Sequence, residues 1–196
     1  MPRLVPGLII ANVLAFALEQ MLGAASTLQF ALWPLASGHF MPWQLVTYAF
    51  VHAGLMHLAF NMYGLWMFGS ELERLWGPRR LGLVYGASVL TAAMAQLGMT
   101  SLLGNSAPTV GASGGLFGLL VGFAMAFPQR KVMLLLPPIP MPAWVFVTLY
   151  GVIELTLGVT GTANGVAHFA HLGGLLGGWL VIRYWQRQPP FGWGRR

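Results

Sequence analysis

The 196-residue chain contains no cysteine and only four acidic residues, and charged side chains make up 7% of it. Without cysteine there is no disulfide, no thiolate metal site and no cysteine nucleophile. With so little charge beside 57% hydrophobic residues, a soluble domain of this length would lack the polar surface to cover itself, so the bilayer is the expected solvent. Basic residues are also too few and too scattered to build a groove with interleaved aromatics, which excludes a nucleic-acid partner. What is present is a succession of apolar segments at 4–23, 53–73, 81–103, 112–127, 142–158 and 166–185. Each approaches the roughly 20 residues that a transmembrane helix needs. Gly77-Pro78, Pro128 and Pro137-Pro138 mark joints between them. The expectation is an all-α polytopic membrane protein, a bundle of six transmembrane helices forming one domain over 1–196 with a basic tail at about 186–196.

The positions of the basic residues test this count. Arg3, then Arg74, Arg79 and Arg80, then Arg130 and Lys131, and finally Arg183, Arg187, Arg195 and Arg196 all fall on one side of a six-span chain. Loops retained in the cytoplasm carry such residues, so both termini are expected to be cytoplasmic and the net charge of +6 to report orientation in a cell (inner or plasma) membrane. The start, MPR followed by an apolar run and LGAAS, imitates a cleaved signal peptide. Its single Arg, and the odd number of spans that cleavage would leave, favour a retained helix. The connection from Ala24 to about Val51 carries Trp33, Phe40 and Trp43, side chains suited to lying along the membrane interface.

Against this background the stretch TVGASGGLFG, residues 109–118, stands out. Ser113 opens the fourth segment, which has only about 16 residues before Pro128, some 24 Å of helix against a hydrocarbon core of about 30 Å. The serine is therefore expected to sit below the outer surface, in contact with water, because irregular backbone at membrane depth lines a wet cavity or is buried in protein. Gly114, Gly118 and Gly122 continue the segment at intervals of four, and the sixth segment offers Gly173 with Gly177 and Gly174 with Gly178. Such faces allow two helices to approach closely. Packed in register, they would bring Ser113 and His171 together. The pattern G-x-S-x-G of Gly111, Ser113 and Gly115 also occurs in the soluble hydrolase elbow, but that motif requires a preceding strand, and NSAPTV is a poor one.

Four of the five histidines, His52, His57, His168 and His171, lie near the outer ends of segments 2 and 6, at the depth of Ser113. Polar rings inside a membrane are costly and usually functional. His57 and Asn61 are four apart, hence on one helix face. A haem or metal site would compete for such rings, but carboxylate support at that level is lacking, and neither cofactor nor metal is expected.

HAGLMHLAFN (His52 to Asn61), GASGG (Gly111 to Gly115) and AHLGGLLGG (Ala170 to Gly178), in this order, resemble the rhomboid family of intramembrane serine proteases. The resemblance implies a membrane-embedded endopeptidase that cuts single-pass transmembrane proteins near the outer leaflet, among membrane lipid. It implies Ser113 as nucleophile, His171 as general base, and His57, Asn61 and the Ser113 amide as the oxyanion site. Gly111, Gly114, His52 and His168 would be supporting residues, with His168 structural or cavity-lining. Phe117 stands where many rhomboids carry Tyr and would hold the His171 ring by stacking. Gln44 stands where a Trp-Arg pair is frequent. A catalytically silent relative, acting as a membrane chaperone or scaffold, would be expected to lose the serine or the histidine, and both are kept. Glu71 and Glu73 fall on the basic side, Glu73 with Arg74 as an interfacial anchor. Glu19 and Glu154 fall about a turn from the outer ends of segments 1 and 5, and none of the four lies on the segments carrying Ser113 and His171. The expectation is thus a dyad without a carboxylate, with substrates admitted beside segment 5 and the GVTGTAN loop.

Overall fold

A computed structural model describes residues 3–104, 106–133, 138–161 and 167–187. The order is α1 (Leu4–Leu22), α2 (Ala24–Phe30), α3 (Gln44–Thr47), α4 (Leu55–Gly64), α5 (Ser70–Leu103), α6 (Ser113–Ala126), a small antiparallel hairpin of β1 (Lys131–Met133) and β2 (Pro140–Pro142), α7 (Ala143–Thr160) and α8 (His168–Arg187). All six expected segments are helical where described, and the described residues form an all-α bundle with one short ladder that the apolar pattern does not announce. A π-helical turn at Leu65–Gly69 carries α4 directly into α5. The run from Leu55 ends at Trp76, because Gly77 takes φ 78°, a conformation open to glycine, and Pro78 starts a new direction.

Leu4–Leu22, Pro78–Leu103 and Ala143–Thr160 are long and apolar enough to cross a membrane, and the bent pair Gln44–Phe50 with Leu55–Trp76 makes a fourth if it is one span. Ser113–Ala126 is apolar but shorter. It is central, burying Gly114, Phe117, Gly118, Leu119, Gly122 and Phe123 among its neighbours. Two glycine faces explain how. A Cβ on Gly174 or Gly178 of α8 would overlap the backbone of Gly114 or Gly118, so these helices touch main chain to main chain. The other glycine face of α8 meets α5, where a Cβ on Gly173 would lie 2.6 Å from Ala95 Cβ and 2.7 Å from the Thr91 carbonyl.

Glutamates tie α1 at both ends. Near its start, Glu73 is 3% exposed and accepts the Arg3, Leu4 and Val5 amides at 2.7, 2.7 and 2.9 Å. These are donors that the first turn of a helix leaves unpaired, and a negative group there is favoured by the helix dipole. Glu73 is therefore a cap for α1, not the interfacial anchor with Arg74 expected from sequence. Arg74 instead pairs with Glu71, which also receives Arg130 from beyond α6. Near the other end of α1, Glu19 accepts the His52 amide at 3.2 Å. The stretch GVTGTAN begins as the last turn of α7, and its last three residues, 162–164, lie outside the described residues, as does the basic tail from 188 onward.

Candidate active site

The loop before Ser113 is held by backbone bonds to the long connection after α1. Leu32 and Thr109 exchange two N–H···O bonds of 2.9 Å, and Gly111 N–H donates to the Tyr48 carbonyl at 2.9 Å. Tyr48, fully buried, is itself anchored through its hydroxyl to the Val89 carbonyl of α5 at 2.8 Å. The connection is organised around Gln44, which is 0% exposed. Its oxygen accepts the Trp33 and Met41 amides, both at 3.2 Å, and its nitrogen donates to the His39 carbonyl at 3.1 Å. Gln44 thus supplies an internal anchor for the connection.

Ser113 is the first residue of α6, so its amide has no intrahelical acceptor and lies at the positive end of the helix. Its Oγ is 2.8 Å from His171 Nε2. Phe117, one turn on, stacks on the imidazole with centroids 4.2 Å apart and planes 5° from parallel. Packing Gly114 against Gly174 sets the height of the serine relative to the histidine.

His57 approaches from α4. Its Nδ1 faces the Ala53 amide at 3.4 Å and acts as acceptor, which leaves the proton on Nε2. That nitrogen points at Gly111, where a Cβ would lie 2.8 Å from it and 3.7 Å from Ser113 Oγ. With φ 118° as well, this position is closed to any side chain, and Gly111 keeps the path between His57 and Ser113 open. Asn61, 4% exposed, donates to the His57 carbonyl one turn back at 2.8 Å and braces that turn; it does not line the cavity. His52 is buried against His57 edge to face, at 5.2 Å. Ser113, His57, His171, Gln96 and Thr109 line an open cavity of about 370 Å³.

A carboxylate also lies beside His171. Glu154 of α7 is 6% exposed, and its Oε2 lies 3.1 Å from His171 Nδ1 and 2.5 Å from His168 Nδ1. The contact to His171 falls off hydrogen-bond alignment, whereas that to His168 meets it. The expectation of a pair without a nearby carboxylate is corrected here. The available signal was Glu154 itself, an ionisable residue in an otherwise apolar segment. With Phe146 and Tyr150 it forms a stripe at intervals of four, and Tyr150 reaches Phe117 at 5.4 Å.

Fold and cluster together define a polytopic all-α membrane protein in which a serine–histidine pair opens onto a cavity. Residues 39–188 match the rhomboid domain. The chain is 32% identical over 140 residues to the rhomboid protease GluP of Bacillus subtilis, covering 71% of this chain and 25% of that protein. It is 34% identical over 146 residues to the mitochondrial rhomboid protein 1 of Saccharomyces cerevisiae, covering 71% and 42%. Over 200 residues it is 29% identical to the human mitochondrial presenilin-associated rhomboid-like protein, covering 96% and 51%. The chain belongs to the rhomboid family. It spans between a quarter and about half of the length of these relatives.

Proposed function

We propose that the chain is an intramembrane serine endopeptidase that cleaves transmembrane segments of membrane proteins. The observation that carries this reading is the 2.8 Å contact between Ser113 Oγ and His171 Nε2 at the mouth of a helix N-terminus. In the proposed reaction the Oγ attacks the scissile carbonyl carbon while its proton passes to Nε2. The carbonyl oxygen becomes an oxyanion, received by the Ser113 amide and the Nε2–H of His57, while Asn61 acts at one remove by bracing the His57 turn. The proton on Nε2 then goes to the departing amine, and water hydrolyses the acyl-enzyme by the same route. Phe117 fixes the plane of the imidazole throughout.

A peptide bond within a helix is shielded by its own hydrogen bonds, so the substrate segment must unwind beside the site. Gly or Pro there lowers the cost, being about 1 and 3 kcal/mol less favourable than Ala in a helix interior. Substrates of this reading are single-pass membrane proteins, admitted from the lipid beside α7. The gathering of Arg3, Arg74, Arg80 and Arg130 at the end of the bundle opposite Ser113 supports a cell-membrane orientation with that end cytoplasmic. The test is incubation of the detergent-solubilised protein with a reporter single-pass substrate, with fragment masses determined and Ser113 labelling by a fluorophosphonate followed in parallel. Cleavage and labelling lost together in Ser113→Ala support the reading; cleavage retained in that variant, with contamination excluded, overturns it.

A further inference from the structure

The buried carboxylate on α7 has no part in a serine–histidine pair taken alone, yet two imidazoles converge on one of its oxygens. With Ser113 Oγ bonded to Nε2 of His171, a neutral ring carries its proton on Nδ1, and Nδ1 faces Glu154 Oε2 at 3.1 Å. The second ring, His168, meets the same oxygen at 2.5 Å and lies one turn before His171 on α8. Glu154 and His168 are each 6% exposed, so this oxygen is shared between side chains, away from solvent.

We propose that Glu154 is a positioning residue for the base: it holds the Nδ1–H of His171, fixing the tautomer that leaves Nε2 free to accept, and faces the imidazolium while it exists, with His168 holding the carboxylate in place. This rests on His171 acting as the base. No new bond or proton transfer is added; the Ser113 proton still moves to Nε2 and on to the leaving amine, and the Nδ1 proton stays where it is. The off-line contact in the resting state is of the kind that aligns as the reaction proceeds.

A packing role and a positioning role make different predictions. Glu154→Gln keeps shape and volume but removes the charge, and its amide can present a donor to Nδ1. Turnover of the reporter substrate by this variant is expected to fall about 100-fold or more in kcat with KM little changed, because the loss belongs to the transition state. The titratable groups around the carboxylate are His168 and His171 from α8 and Tyr150 on its own helix, and His57 faces His171 from α4. His168→Gln, which retains a donor toward the carboxylate, is expected to lose about tenfold at most. Should Glu154→Gln fail to fold, Glu154→Asp keeps the charge on a shorter arm and is read by the same kcat-against-KM split. Wild-type kcat in a folded Glu154→Gln protein would overturn the inference while leaving the base assignment intact. Absence of Ser113 labelling in the wild type would instead overturn the base assignment itself.

Discussion

Helices α7 and α8 both bring side chains to the cluster around His171, and they are held in opposite ways. Facing α6 and α5, α8 presents glycine on two sides, so its backbone is locked against theirs. By contrast α7 buries only Ala143 and Glu154 among its eighteen residues and leaves Leu149, Val152, Leu155 and Val159 exposed. Close packing leaves a helix few alternative positions, whereas a sparsely packed one can shift at low cost. His171 therefore sits on the fixed member, and Glu154 sits on the loosely packed one.

The contrast breaks most completely at the reacting pair. Ser113→Ala and His171→Ala are each expected to reduce turnover by about 10⁶-fold, and the double variant no further, since nucleophile and base act as a unit. A double variant much slower than either single one, measured with the reporter substrate, would count against the pair. Next in size is His57→Ala, expected to cost about 10² to 10³ in rate as loss of an oxyanion donor. Asn61→Ala is expected to cost less, because its amide braces His57 and lies outside the cavity lining. Equal losses in the two variants would mean that Asn61 reaches the oxyanion directly.

The sparse packing of α7 can be probed by restraining that helix. Cross-linking of cysteines introduced on α7 and α4 is expected to slow cleavage of a membrane-embedded substrate by about tenfold or more, while fluorophosphonate labelling changes little. Equal slowing of both would assign the effect to the site itself. The smallest effects compare glycines of the two helices by thermal unfolding. Gly174→Ala, whose Cβ meets the Gly114 backbone, is expected to destabilise by about 1–3 kcal/mol. Gly151→Ala on α7 meets Leu175 at an ordinary 3.5 Å and is expected to stabilise by about 0.5–1 kcal/mol. Similar values for both would remove the packing contrast.

Much of this was legible in the chain because it is local. Apolar runs gave the six helices, and intervals of four gave the glycine faces of α6 and α8. What escaped is carried by pairs far apart in sequence. Glu73 and the start of α1 are separated by about seventy positions, and nothing near either marks the other as its partner. Leu32 and Thr109 form their bridge within irregular segments that have no strand pattern. Glu154 was visible as a charge in an apolar segment, but its distance from His171 depends on how α7 leans on α8, where His168 and Phe169 lie against Gly158.

The two glutamate ties of α1 have a geometric consequence. One tie grips the amides of Arg3 to Val5 and the other extends from Glu19 to the backbone of His52, whose ring rests on His57. Between Val5 and Glu19 the helix is a strut of about 21 Å, and each residue added or removed changes its length by about 1.5 Å and turns its far end by about 100°. A single insertion or deletion in that stretch would leave α1 apolar and still helical, yet swing Glu19 away from His52. The length of α1, more than the identity of most of its side chains, is what reaches the His57 side of the cavity.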